Sequence, residues 1–137
     1  MLEKSIEQLE NNYWKEESEF PTNLVKRCFE YRKIKLSELT IEQIRLLISQ
    51  EIGIEFLIGI ALEKLELNII AEGNLYEGDL LDSVSKISNE FWKKNKFELK
   101  QLKIIIEKNK ETIKTELGEK EYERISERIK ASCQHRI

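Results

Sequence analysis

Apolar residues recur along the chain at three- and four-residue steps, broken by short polar or glycine-bearing links, and this is the period of helices. Ile6 and Leu9 mark a short first helix, followed by an acidic segment that holds Tyr13, Trp14 and Phe20. Pro21 stands where a second helix begins, since its missing N–H is not needed there. Beyond it Leu24, Val25, Cys28, Phe29 and Arg32 fall on one face. A connection through Ile34, Leu36 and Leu39 leads to Thr40, which with Gln43 reads as a capping box. Ile41, Ile44, Leu47 and Ile48 form the stripe of the helix that follows, and Gly53 is placed to end it in a left-handed conformation. The stretch from about Glu55 to Leu67 is apolar on most sides, so it is predicted to be the central helix. Gly59 within it has no capping role and is expected to let a neighbouring helix approach closely.

Asn68 to Gly78 is the longest irregular stretch, with Gly73, Asn74 and Gly78 as turn formers. Asp79 is predicted to cap a helix whose apolar face is Leu80, Leu81, Val84 and Ile87. Ser88 and Asn89 open a further turn carrying Phe91 and Trp92. Asn95, with Glu98 three residues on, reads as the cap of one long helix that keeps Leu99, Leu102, Ile106, Ile113 and Leu117 on a face and stops at Gly118. A last helix holds Tyr122, Ile125 and Ile129, and residues 132–137 are expected to fray. No segment alternates with period two, which predicts no strand. The expected fold is all-α: a single-domain bundle of about six or seven helices over residues 1–137, with residues 1–20 as an acidic N-terminal segment.

Composition agrees with this. The chain has 137 residues, 36% charged and 40% hydrophobic, with one proline and five glycines. A chain of this length buries roughly two-thirds of its unfolded surface, enough for one core without metal or disulfides. Charge is distributed unevenly. Residues 1–20 carry six acids and two bases, and residues 21–50 three acids and six bases. Residues 51–90 carry nine acids against only Lys64 and Lys86, a net −7, and residues 91–137 eight acids and thirteen bases. An acidic block between two basic ones is either a solvated helical surface or a surface for a basic partner, where complementary charge raises association rate and selectivity. Cys28 falls in an apolar stripe and Cys133 in a polar tail, which argues for two free thiols in a reducing compartment. The first residues lack a signal-peptide core, and the longest apolar run, Phe56 to Leu62, is far short of a membrane span. The expected location is therefore the cytoplasm, with no membrane association.

Chemistry is scarce. The one histidine, His135, lies near the end of the tail, a poor place for a preorganised base. There are no histidine pairs or cysteine clusters for a metal, and the glycines at 53, 59, 73, 78 and 118 match neither dinucleotide nor P-loop spacing. Glu77 and Asp79 are close enough for acid/base work, but a carboxylate pair before a helix is far more often a cap and a solvated side chain. The C-terminal lysines alternate with glutamates at helical spacing, the mark of a wet helix face more than of a phosphate-binding stripe. No catalytic residue, cofactor or metal is expected. Binding to another protein remains, through large aromatics such as Tyr13, Trp14 and Tyr76, while Phe91 and Trp92 are expected in the core.

Two stretches carry a resemblance. Arg45-Leu46-Leu47-Ile48-Ser49-Gln50 with Gly53, and Tyr76-Glu77-Gly78-Asp79-Leu80-Leu81 followed by Phe91-Trp92, resemble a helical family of immunity proteins of bacterial contact-dependent growth inhibition (CDI) systems. The resemblance covers roughly residues 3–94 and departs from the family's prolines at Gly59 and Ile69; residues 95–137 resemble nothing recognised. It implies a non-catalytic cytoplasmic protein, expected as a monomer, that binds and blocks the C-terminal toxin domain delivered by a neighbouring cell, commonly a nuclease acting on RNA. A nuclease cleft must hold phosphates and is basic, so an acidic inhibitor surface complements it. Arg45, Gln50, Gly53, Gly78 and Asp79 are read as structural motif residues, with Arg45 a candidate partner for Asp79. The expected toxin-binding residues are Glu55, Glu66, Glu72, Tyr76, Glu77, Asp82 and Glu90, with the acidic run Glu16, Glu17 and Glu19 as second choice. The alternative is a helical adaptor that binds a partner without inhibiting it.

Overall fold

A computed structural model describes residues 1–133 and contains, among them, nine α-helices, one 3-10 turn over Leu36–Glu38 and no strand. The helices are α1 (Ile6–Glu10), α2 (Asn23–Tyr31), α3 (Ile41–Ser49), α4 (Ile54–Leu67), α5 (Asp79–Ser85), α6 (Asn89–Lys94), α7 (Lys96–Lys108), α8 (Lys110–Leu117) and α9 (Glu119–Cys133). His135 and the rest of the tail expected to fray lie outside the described residues; Ser132 and Cys133 continue α9.

Nine helices replace the expected six or seven for two local reasons. Ser88 caps Asn89–Lys94, its hydroxyl accepting from the Phe91 N–H, so a helix forms where a turn was expected. The single helix expected from Asn95 to Gly118 is broken at Asn109, whose side-chain amide donates to the Ile105 carbonyl at 2.8 Å and competes with the backbone ladder. Asn95 is not the side-chain cap expected of it either. Its amide donates back to the Phe91 carbonyl at 2.8 Å.

Other caps follow the sequence more closely. Thr40 and Gln43 form the full box, Thr40 Oγ1 accepting from the Gln43 N–H at 3.2 Å and Gln43 Oε1 from the Thr40 N–H at 2.9 Å. Ser5 and Gln8 make a second box at the start of α1. Helix α2 is capped by Thr22 and starts at Asn23, so Pro21 lies outside it. The left-handed residue that ends α3 is Glu51 (φ +58), with the Ile52 N–H closing on the Leu47 carbonyl at 2.9 Å. Gly53, expected there, instead begins α4 at φ +61, with Ile6 of α1 packed against it.

Helix α4 packs against α3, α5 and α7 and buries Leu57, Ile58, Ala61, Leu62 and Leu65. That is the central position its apolar sequence predicted. Gly59 is the exception: no atom lies within 4 Å of where its Cβ would be, so it admits no neighbouring helix. The core runs as one cluster from Ile6 to Ile129 and takes in Leu47, Leu80, Leu81, Trp92, Leu102 and Ile113. Each such side chain adds about 1.5–3 kcal/mol by burial. Trp92 is fully buried, whereas Phe91 only half enters the core. No helix among the described residues is long and apolar enough to cross a membrane.

Candidate functional site

Two buried charge clusters organise the connection between α4 and α5. In the first, Arg45 on α3 grips Glu42 one turn earlier, Nε to Oε1 at 2.7 Å and Nη2 to Oε2 at 2.6 Å. Asp79, at the first residue of α5, completes it, its Oδ2 lying 3.8 Å from Arg45 Nε. The pairing of Arg45 with Asp79 is therefore present, but the tighter partner is Glu42. All three side chains are buried. An unpaired charge there would be costly, and each has a partner. The bond from Arg45 holds the Glu42 carboxyl below its ordinary pKa, and the bond to Glu42 pushes the Arg45 guanidinium up.

The remaining acceptor capacity of these carboxylates is spent on the loop. Glu42 Oε1 accepts from the Asn74 N–H at 2.8 Å. Asp79 accepts from the N–H groups of Gly73 at 2.7 Å, Leu75 at 3.1 Å and Tyr76 at 3.4 Å. Asp79 is thus not the helix cap expected of it: Gly78 (φ +83) occupies that position, and the Asp79 carboxylate serves the chain before it. Gly73 permits the close approach, since a Cβ there would stand 2.5 Å from Glu42 Oε1 and 3.0 Å from the Glu42 Cα. A Cβ at Gly78 would press on Leu117 of α8.

The second cluster surrounds Asp82. Its carboxylate accepts from Tyr76 Oη at 2.7 Å and Arg128 Nη1 at 2.7 Å, and Lys86 Nζ lies 3.1 Å away. Arg128 also donates to Ser85 Oγ at 2.9 Å, which ties α9 to α5. Burial pushes the Asp82 carboxyl up, but the bonds from Tyr76, Arg128 and Lys86 outweigh it and hold its pKa below the ordinary value. The same carboxylate, with burial, drives the Tyr76 phenol up to about 12. Asp82 was expected on the surface; it is buried, with its charge fully engaged. Tyr76 keeps its ring exposed while its hydroxyl is committed.

The other carboxylates expected to meet a partner fall on separate parts of the surface. Glu55 and Glu90 line one cleft of about 740 Å³ together with Glu10, Glu51, Lys93 and Lys94. A smaller cleft of about 290 Å³ adjoins it, sharing Glu51 and Ser88, and is lined by Leu75, Tyr76 and Arg45. Glu77 faces a third cleft with Tyr76, Arg124 and Arg128. Glu72 is exposed. Glu66 is exposed on the last turn of α4 and paired with Lys108 at 2.7 Å. Structure thus joins Glu55, Glu90 and Tyr76 through Glu51, a residue the sequence reading passed over, and sets Glu66 in a pair with α7. Glu42 was passed over too; its one signal was the opposite charge three residues before Arg45. Gln50 caps the end of α3, and its side chain makes no hydrogen bond among the described residues. In the N-terminal segment Glu16, Glu17 and Glu19 are exposed, and Trp14 stacks on the buried Arg32 guanidinium at 4.2 Å.

A family model described as CDI immunity proteins matches residues 8–102, well over half of the chain. The match takes in both charge clusters except Arg128 and stops within α7. No curated protein and no solved structure matches the chain.

Proposed function

This chain belongs to the family of CDI immunity proteins, which makes it an inhibitor of a toxin, and we propose that its toxin is a nuclease whose basic active-site cleft it covers. The observation that carries this reading is the acidic block of residues 51–90, whose seven exposed acids stand against only Lys64 and Lys86, lying wholly inside the family match. A nuclease must attract phosphates, and the same positive field draws in an acidic inhibitor and speeds its capture. The face that serves best runs from Glu90 and Glu55 through Glu51 to Tyr76, with Glu77 and Glu72 beyond. Glu66 is a weaker candidate because Lys108 already neutralises it. Asp82 supports this face from below and does not itself meet the toxin. Inhibition takes place in the cytoplasm of the protected cell, needs no cofactor or metal, and uses one copy of the chain. Arg45, Gln50, Gly53, Gly78 and Asp79 act as scaffold.

The test is co-purification of the full chain with the toxin domain encoded beside its gene, together with growth protection of cells that express that toxin. Reversing Glu55, Glu77 and Glu90 to lysine is expected to weaken binding by about 2–5 kcal/mol in all, mostly through slower association at low salt. Unchanged affinity and unchanged salt dependence would remove this face from the interface. If the wild-type chain neither binds nor protects, the reading as inhibitor of that toxin fails.

A further inference from the structure

The loop between α4 and α5 exposes two large apolar side chains, yet its amides are tied to buried charges. Leu75 is 60% exposed and Tyr76 47%. Beneath them four consecutive N–H groups, from Gly73 to Tyr76, all end on Glu42 or Asp79, and Arg45 holds both carboxylates in place. Leaving apolar area in water forgoes about 25 cal/mol per Å² of burial, and ordering a loop costs about 1–2 kcal/mol per residue. The ordering satisfies the buried carboxylates of the free protein, but the exposed apolar area gives it nothing. A bound partner gains from both, because the contact surface is oriented beforehand and little ordering remains to be done on binding. Glu51 and Glu77 share clefts with Tyr76, and the bases in those clefts are already paired: Lys86 and Arg128 with Asp82, Arg124 with Glu121, and Arg45 with Glu42. With the Tyr76 hydroxyl held by Asp82, the ring and the Leu75 side chain are what the loop presents.

We infer that Leu75 and Tyr76 form a preset plug for an apolar socket rimmed by basic residues on the toxin domain, and that Glu42, Arg45, Gly73 and Asp79 are the positioning residues that hold it out. The inference rests on the reading of the chain as a toxin inhibitor and assigns the buried motif charges a place in binding as well as in folding. The acidic rim selects a basic partner, and the two apolar side chains supply the contact that resists dissociation.

Binding of the purified full chain to the toxin domain encoded beside its gene, in wild-type and L75S/Y76S forms, tests the plug. The double variant, still helical by circular dichroism, is expected to bind at least about thirtyfold more weakly, the loss of a hot spot. Asp79→Asn is expected to weaken wild-type binding by about tenfold but to add nothing in the L75S/Y76S background, since it acts through the loop. In the free chain it is expected to speed exchange of the amides of residues 73–76 while the core amides of α4 stay protected. Equal losses from Asp79→Asn in both backgrounds would overturn the positioning role. Undiminished binding by L75S/Y76S would overturn the plug and leave the inhibitor reading intact. Self-association of the free chain that L75S/Y76S abolishes would give the plug to a second copy and overturn its assignment to the toxin. No binding and no protection by the wild type would remove the inhibitor reading, and the inference with it.

Discussion

Single residues carry the pH response. Glu42 and Asp82 have lowered pKa values, so the folded chain holds their protons less tightly than the unfolded chain does. The stability they add is complete above the ordinary values of 4.5 and 3.8 and is lost as pH falls below them. Tyr76 is the reverse case: its stability contribution is complete below pH 10 and disappears as pH rises from 10 to about 12. Urea unfolding across this range is expected to show a neutral plateau with losses at both ends. Asp82→Asn should flatten the acid limb and bring the late-titrating tyrosine, followed by tyrosinate absorbance, back toward 10; a tyrosine that still titrates near 12 would break the link. What the sequence showed at this scale was identity more than environment. Arg45 and Asp79 were legible as a pair because both stood in motifs and opposite charges seek each other when buried. Asp82 looked like any surface acid, since nothing nearby in sequence announces Arg128 forty-six residues away.

Elements were legible wherever the signal was local. The Thr40–Gln43 box, the stripe of α3 and the apolar α4 all depend on residues within a few positions of one another, and each is found where its pattern placed it. Errors arose where a side chain overrides periodicity. Asn109 sits on a helical repeat but bonds its own backbone, and Glu51 takes a left-handed turn that glycine would have taken more easily two residues later. A non-glycine side chain in that region costs about 1 kcal/mol or more. Glu51→Gly is therefore expected to raise thermal stability by about 1 kcal/mol while lowering affinity for the toxin, because a carboxylate of the proposed face is lost. An unchanged or lower midpoint would show that the Glu51 side chain stabilises the turn in another way.

At the scale of the molecule, the all-α class was fully legible and the number of pieces was not. The family match ends at residue 102, yet Leu102, Ile105, Ile106, Ile113, Ile125 and Ile129 belong to the same buried cluster as Ile6 and Leu47. We therefore expect the chain to unfold as one domain, and a version ending at residue 108 to lose its cooperative thermal transition, since α8 and α9 would leave their apolar partners bare. Two separate calorimetric transitions in the full chain would refute this.

The Arg128–Asp82 bond sets a relation between the two ends of this molecule. Helix α9 lies beyond the region shared with the family, yet it holds the carboxylate that fixes the Tyr76 hydroxyl. A substitution at Arg128 would then loosen the hold on the aromatic ring from outside the shared region. Choice of toxin would be open to revision from a helix outside the part that the family shares.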